Sequence, residues 1–112
     1  MKIYHNPRCM KSRETLQIVE KKAKNVEVIE YLKTPPTEKE IEALLKKLGM
    51  KAEEIVRKKE KIYLEKYKGK ELTEKQWIKA MAENPILIER PIFVNGNKAV
   101  IGRPPENVKK IL

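Results

Sequence analysis

The residues that decide the fold lie at the start of the chain, in the stretch Lys2-Ile-Tyr-His-Asn-Pro-Arg-Cys9-Met10. Lys2 to Tyr4 predicts a short strand, and the segment from about Met10 to Ala23 has apolar residues at helical spacing. Val26 to Tyr31 is rich in β-branched and aromatic residues, which predicts a second strand. The three elements make a βαβ unit with parallel strands. Cys9 then lies at the carboxyl end of the first strand, where open α/β sheets place their ligands.

The middle of the chain predicts a helical block. Two capping boxes mark helix starts, Thr37 with Glu40 and Thr73 with Gln76. We expect the first of these helices to stop at Gly49 and the second at Asn84-Pro85. The charged segment between them, from about Ala52 to Tyr67, predicts one or two short helices.

The C-terminal third predicts a hairpin and a last short helix. Two apolar runs, Ile92–Val94 and Ala99–Ile101, are joined by Asn95-Gly96-Asn97, a strong hairpin signal. Pro104-Pro105-Glu106 then has the proline and acid that helix starts prefer. The order βαβ, helical insert, ββα is similar to a thioredoxin-like α/β fold with a four-stranded mixed sheet. We therefore expect one domain over residues 1–112, with a helical insertion at about 37–85.

The composition limits the classes of function without choosing among them. No apolar run approaches the roughly 18 residues of a membrane helix, and no targeting signal is visible, so we expect a cytoplasmic protein with no membrane partner. The formal charge of +10 is compatible with nucleic acid, an acidic protein or a small anion. The few aromatic residues are not interleaved with the basic ones, which argues against a nucleic-acid partner.

The single cysteine and single histidine restrict the chemistry further. One cysteine cannot form an internal disulfide, and the two residues are too few for a zinc or iron–sulfur site, so we expect no bound cofactor or metal. Cys9 precedes a predicted helix, whose free amides and dipole favour a thiolate and would also bind an oxyanion. A buried, inert cysteine is the alternative, and the polar neighbours Arg8, Lys11 and Ser12 argue against it.

The arginines stand out from the lysines in number and in setting. The chain has 21 lysines and five arginines: Arg8, Arg13, Arg57, Arg90 and Arg103. Two of the five flank Cys9 and two directly precede prolines. Because arginine binds an oxyanion with a planar fork of donors, a chain that otherwise uses lysine could keep arginine for that geometry. The alternative is that a lysine-rich composition leaves a few arginines at random positions. For Arg57 alone we favour this alternative.

Three further residues are candidates for supporting roles. Arg13 is one helical turn after Cys9 on the same face, and His5 lies just before the turn, where it could contact the thiolate or form only a structural hydrogen bond. Pro91 introduces the hairpin where thioredoxin-like folds carry a cis-proline that faces the active cysteine, and an ordinary trans-proline is the alternative.

The segment from His5 to Arg13 resembles the H-x3-C-x3-R loop of glutaredoxin-coupled arsenate reductases. Four more segments resemble that family in the same order: Tyr31-Leu-Lys-Thr-Pro-Pro36, Ile55-Val-Arg57-Lys, Asn84-Pro-Ile-Leu-Ile-Glu-Arg90-Pro-Ile92 and Gly102-Arg103-Pro-Pro-Glu106. The resemblance implies that Cys9 attacks arsenate, which Arg57, Arg90 and Arg103 hold. It also implies glutathione as co-substrate and glutaredoxin as the partner that resolves the mixed disulfide, with His5, Ser12, Arg13 and Pro91 in support.

Two relatives of that family define the alternatives. One is a glutathione-dependent thiol-disulfide reductase, in which the last arginine motif is usually degraded, whereas Arg103-Pro-Pro-Glu106 is intact in this chain. The other is an Spx-like regulator that binds RNA polymerase and commonly carries C-x-x-C, whereas Ser12 replaces the second cysteine. Arg8 and Met10-Lys11 replace small residues often found beside the cysteine, so the bulk there could narrow access for arsenate.

Overall fold

The computed structural model describes residues 1–112, which divide into two compact units. The first unit combines Met1–Thr34 with Arg90–Leu112, and the second is Pro35–Glu89. The insertion predicted at about 37–85 falls within the second unit, and the expectation of a single domain stays a prediction. None of the helices is long and apolar enough to cross a membrane.

The first unit contains one four-stranded sheet with two helical elements. Its elements in chain order are β1 (Lys2–His5), α1 (Met10–Lys22), β2 (Glu27–Glu30), β3 (Ile92–Asn95), β4 (Lys98–Ile101) and a 3₁₀ helix (Pro105–Lys110). The strand order is β2-β1-β3-β4, with β1 parallel to β2 and antiparallel to β3, and β3 antiparallel to β4. The predicted thioredoxin-like fold with a mixed four-stranded sheet is confirmed.

The core of the first unit lies where α1 and the 3₁₀ helix pack against each other and against the sheet. It is formed by four fully buried side chains, Ile3, Val19, Phe93 and Val108. Ile3 pairs with Phe93 across the two central strands, which explains why β1 and β3 place their apolar residues at matching positions. The hairpin after β3 turns through Gly96, whose φ of +63° is a backbone conformation that glycine adopts without steric cost.

The second unit is helical, as predicted, apart from one short bridge between Val56 and Ile88. Its elements are α2 (Glu38–Leu48), a 3₁₀ helix (Ala52–Ile55), α3 (Lys61–Lys66), α4 (Glu74–Glu83) and a second 3₁₀ helix (Pro85–Leu87). The charged segment after Gly49 thus forms one 3₁₀ and one α helix. The 3₁₀ turn at Pro85–Leu87 follows the predicted helix end, because proline at a first helical position lacks only an amide that would be unpaired anyway.

Both predicted capping boxes are present. The Thr37 hydroxyl accepts from the Glu40 amide at 3.1 Å while the Glu40 carboxylate accepts from the Thr37 amide at 3.1 Å. Gly49 ends α2 in the left-handed conformation with φ of +67°, and its amide donates to the Leu45 carbonyl at 2.9 Å. A capping box at one end and a glycine at the other therefore fix the two ends of this helix.

Thr37→Ala should lower the free energy of unfolding by about 1 kcal/mol, because it leaves the Glu40 amide without its side-chain acceptor. Thr37→Ser keeps that acceptor and serves as the matched control. Urea denaturation followed by circular dichroism measures both variants. Equal stability of Thr37→Ala and Thr37→Ser would show that the capping box contributes nothing to α2.

Candidate active site

The turn between β1 and α1 places Cys9 at the start of the helix. Cys9 is the N-cap of α1, with extended φ and ψ of −97° and 123°. Asn6 shapes the turn, since its carbonyl accepts from the Cys9 amide at 3.0 Å and its side-chain Oδ1 accepts from the Arg8 amide at 3.0 Å. The sulfur therefore faces the open amides of the first helical turn.

Ser12 and His5 form a buried pair behind the cysteine. His5 Nδ1 lies 2.7 Å from Ser12 Oγ, and the Asn6 amide donates to the same oxygen at 3.0 Å. Burial lowers the pKa of His5, an effect that the carboxylates of Glu30 and Glu20 partly oppose. A neutral imidazole with its proton on Nε2 lets the Ser12 hydroxyl donate to Nδ1. His5 is thus linked to the cysteine through Ser12, whose own amide faces the sulfur.

Two arginines from the other end of the chain meet the sulfur of Cys9. Arg103 Nη2 donates to Cys9 Sγ at 3.4 Å, and Arg103 Nε donates to the Arg90 carbonyl at 2.9 Å. The Arg90 side chain also hydrogen-bonds to the Cys9 sulfur. Because Arg90 precedes β3 and Arg103 follows β4, the antiparallel pairing of these strands brings the two residues together. Three of the four residues predicted as catalytic are therefore in contact.

The surroundings lower the pKa of the Cys9 thiol. Partial burial acts to raise this pKa, and the Ser12 amide, the Arg90 hydrogen bond and the charges of Arg90 and Arg103 together outweigh it. The Ser12 amide acts on the sulfur although the Cys9 side chain makes no full capping hydrogen bond. The thiolate is therefore stabilised by one helix amide and two guanidinium groups.

Arg13 and Pro91 are the remaining predicted residues of the first unit. Arg13 Nη1 donates to the Pro7 carbonyl at 2.8 Å, so this guanidinium braces the turn that carries Cys9. Pro91 is fully buried, and the Arg90-Pro91 peptide bond is cis, as is Arg103-Pro104. The cis isomer at Pro91 is the one found at this place in thioredoxin-like folds.

Arg57 lies in the second unit and has two carboxylate partners there. Its Nε donates to Glu60 at 3.1 Å and its Nη1 donates to Glu89 at 2.9 Å. Burial acts to lower the pKa of Arg57, and the two carboxylates outweigh it and raise that pKa. The Arg57 amide also donates to the Leu87 carbonyl at 2.7 Å. The side chain is thus held in one orientation, and its predicted role toward the oxyanion stays a prediction.

A protein-family model matches nearly the whole chain, from residue 4 to residue 111, and its description is the ArsC family. The chain belongs to the ArsC family. The match includes the turn with Cys9, the Arg57 segment and both arginine–proline segments.

Members of the ArsC family with full-length similarity include proteins with and without a named activity. The uncharacterized protein YfgD of Escherichia coli K12 is 49% identical over 100% of this chain and 96% of its own length. The arsenate reductase of Haemophilus influenzae is 42% identical over 98% of this chain and 97% of its own length. The solved structure of the arsenate reductase from Vibrio cholerae superposes with a TM-score of 0.94 at 45% identity, covering 100% of this chain and 98% of that one.

Two residues that support this site were not predicted from the sequence. Asn6 forms the turn before Cys9, and an asparagine between a strand and a proline is a turn signal that could have revealed it. Asn107 donates from Nδ2 to the carbonyl of Arg103 at 3.0 Å and to that of Ile101 at 3.2 Å. No local pattern marks Asn107, because its acceptors depend on how the preceding segment folds back.

The lowered pKa predicts that Cys9 is alkylated by iodoacetamide at pH values below the ordinary cysteine pKa of about 8.5. Because the thiolate is the reactive form, the alkylation rate should rise with pH, and the midpoint of this rise should lie below that value. Arg103→Ala should raise the midpoint, and Lys21→Ala, which removes one positive charge from an exposed position of α1, should leave it unchanged.

Measurement of the alkylation rate against pH distinguishes the outcomes. A midpoint near 8.5 in the unmodified protein, or equal midpoints in all three proteins, would contradict stabilisation of the thiolate by Arg103.

Proposed function

We propose that this protein is an arsenate reductase in which Cys9 is the nucleophile and Arg90 and Arg103 bind the oxyanion. The observation that carries the proposal is the 3.4 Å contact between Arg103 Nη2 and Cys9 Sγ, with Arg90 bonded to the same sulfur. The arginine donors, which suit an oxyanion, therefore lie beside a nucleophile whose pKa is lowered. The named arsenate reductases of the ArsC family, similar over nearly the full chain, support the choice of arsenate.

In the first step the Cys9 thiolate attacks arsenic and an As–S bond forms. One arsenate oxygen leaves as water after protonation, so arsenic stays in its +5 state at this point. Arg90 and Arg103 hydrogen-bond to the thiolate in the free protein. They would hydrogen-bond to the arsenate oxygens instead as negative charge builds on these oxygens. Fixed donors of this kind stabilise a transition state electrostatically without having to reorganise.

The second step needs a thiol from outside the chain, since Cys9 is the only cysteine. We propose that the glutathione thiolate attacks the Cys9 sulfur and forms a mixed disulfide. The electron pair of the As–S bond then stays on arsenic, which leaves as arsenite in the +3 state. A glutaredoxin thiol would attack the glutathione sulfur and restore the Cys9 thiolate. A cycle of this kind needs a reducing compartment, which agrees with the expected cytoplasmic location.

Arg57 would provide the third arginine of the oxyanion site, a role that rests on its match to the family segment. Its bonds to Glu60 and Glu89 fix the plane of the guanidinium, which suits bidentate binding of an oxyanion better than a mobile side chain would. The two carboxylates also reduce the positive charge that Arg57 offers to an anion. We therefore expect Arg57 to contribute less to arsenate binding than Arg103.

A thiol-disulfide reductase acting on glutathione mixed disulfides is the second candidate. The observation that favours it is the bulk beside the cysteine, where Met10 is 62% exposed and Arg8 is exposed as well. An exposed apolar side chain beside the sulfur offers contact area to a peptide-like thiol that a small oxyanion cannot use. Cys9 would be the nucleophile in both reactions, attacking arsenic in the first and sulfur in the second.

Arsenite production from arsenate, with glutathione and glutaredoxin present, tests the proposal. Cys9→Ser should abolish turnover because the nucleophile is lost. Arg103→Ala should lower kcat by roughly 10²-fold, the usual cost of one oxyanion donor. Lys21→Ala loses the same unit charge and should retain the activity of the unmodified protein.

The unmodified protein decides between the two candidate functions. Arsenite formation that depends on Cys9 supports the reductase. No arsenite, together with Cys9-dependent reduction of a glutathione mixed disulfide, would replace it with the second function.

A further inference from the structure

A buried hydroxyl in the middle of α1 connects this helix to the segment that carries Arg103. Thr15 is fully buried, and its Oγ1 lies 2.7 Å from the Lys11 carbonyl and 3.2 Å from the Gly102 carbonyl. The first contact is made within the helix, whereas the second joins residues 87 positions apart in the chain. A hydroxyl with one proton can share it between these two acceptors or donate to either.

Gly102 packs so closely on this threonine that no larger residue fits there. A Cβ atom at position 102 would lie 2.7 Å from Thr15 Oγ1, 2.8 Å from Thr15 Cγ2 and 2.9 Å from Pro91 Cγ. The Gly102 amide meanwhile donates to the Pro91 carbonyl at 2.9 Å, which continues the pairing of β3 and β4. Gly102 is therefore packed closely against both Thr15 and Pro91.

Arg103 follows Gly102 directly, so the position of Gly102 sets where the Arg103 side chain begins. Asn107 Nδ2 also donates to the carbonyls of Ile101 and Arg103, at 3.2 and 3.0 Å. The backbone from Ile101 to Arg103 is thus held by contacts with two residues, Thr15 and Asn107. One of the two anchors, Thr15, belongs to the same helix that has Cys9 at its N-terminus.

We propose that Thr15 is a positioning residue that sets the spacing between the Cys9 thiolate and the Arg103 guanidinium. Thr15 lies six residues after Cys9 on one rigid helix, and Gly102 lies one residue before Arg103. The Thr15–Gly102 contact therefore fixes the distance between nucleophile and cation through two short, stiff segments. Threonine suits this position because its methyl group fills the space against Gly102 while its hydroxyl reaches the Gly102 carbonyl.

Variants that lose the Thr15–Gly102 contact should change the Cys9 pKa, and a variant that keeps it should change this pKa little. Thr15→Ala removes the methyl and the hydroxyl, and Gly102→Ala forces a clash at 2.7 Å, so both should raise the Cys9 pKa. Both should also raise the KM for arsenate about tenfold, since small misplacements of a binding group are costly. Thr15→Ser keeps the hydroxyl and should therefore keep most of the lowering of the Cys9 pKa.

The decisive experiment measures the Cys9 pKa by alkylation in a double-mutant cycle with Arg103→Ala. If Thr15 acts through Arg103, Thr15→Ala raises this pKa in the unmodified protein and changes nothing further in the Arg103→Ala background. An equal rise in both backgrounds would overturn the proposal. So would a lower melting temperature with an unchanged Cys9 pKa in Thr15→Ala, because that result describes a purely structural threonine.

Only the arsenate KM depends on the proposed function. The pKa cycle uses no arsenate, so its failure and the failure of arsenate reduction are separate results. Circular dichroism of each variant establishes that it is folded. Thr15→Val, which keeps the shape of the side chain and removes the hydroxyl that reaches the Gly102 carbonyl, takes the place of Thr15→Ala in the cycle if Thr15→Ala does not fold.

Discussion

The contact between the Arg103 guanidinium and the Cys9 sulfur is the interaction on which the site depends. Arg103 bonds Cys9 Sγ through Nη2 and the Arg90 carbonyl through Nε, so one planar group connects the nucleophile to the second arginine. A lysine could not make both bonds with fixed directions, because its ammonium is a point charge on a flexible chain. This requirement explains why a lysine-rich chain has arginine at position 103.

The sheet topology supplies the parts of that contact from distant regions of the sequence. β1 leads into the Cys9 turn, and its neighbour β3 begins just after Arg90-Pro91. β4, paired with β3, ends just before Gly102-Arg103. Three adjacent strands therefore deliver three functional residues to one place. The buried Thr15, Gly102 and Pro91 then pack together directly before Arg103, at the point where the backbone leaves β4.

Local features of this fold were predictable from the sequence because each depends on residues close together in the chain. The capping boxes at Thr37 and Thr73, the helix end at Gly49 and the hairpin at Gly96 are all present. The Cys9 position at a helix start was also predictable, since strand and helix periods change at that point. The contrast with the many lysines set Arg90 and Arg103 apart, the resemblance to arsenate reductases implied their roles, and the structure places both at the sulfur.

Features that depend on long-range packing were not predictable in the same way. The expectation that His5 could contact the thiolate did not include Ser12 as the intermediate, and Arg13 braces the Pro7 carbonyl. The residues around Thr15 in the sequence do not indicate that Gly102 packs on it, because the two are 87 positions apart. The contact of Arg57 with Glu89 was not predictable either, because 32 positions separate these two residues.

Quantification of arsenite and of the Cys9–glutathione mixed disulfide in the same sample tests the central claim most directly. The protein is mixed with arsenate and glutathione without glutaredoxin, and the reaction is quenched and analysed by arsenic speciation and intact mass. The account predicts one arsenite released for each mixed disulfide formed on Cys9, with both slowed together in Arg103→Ala. Arsenite released with no mixed disulfide on Cys9, or no arsenite released at all, would contradict it.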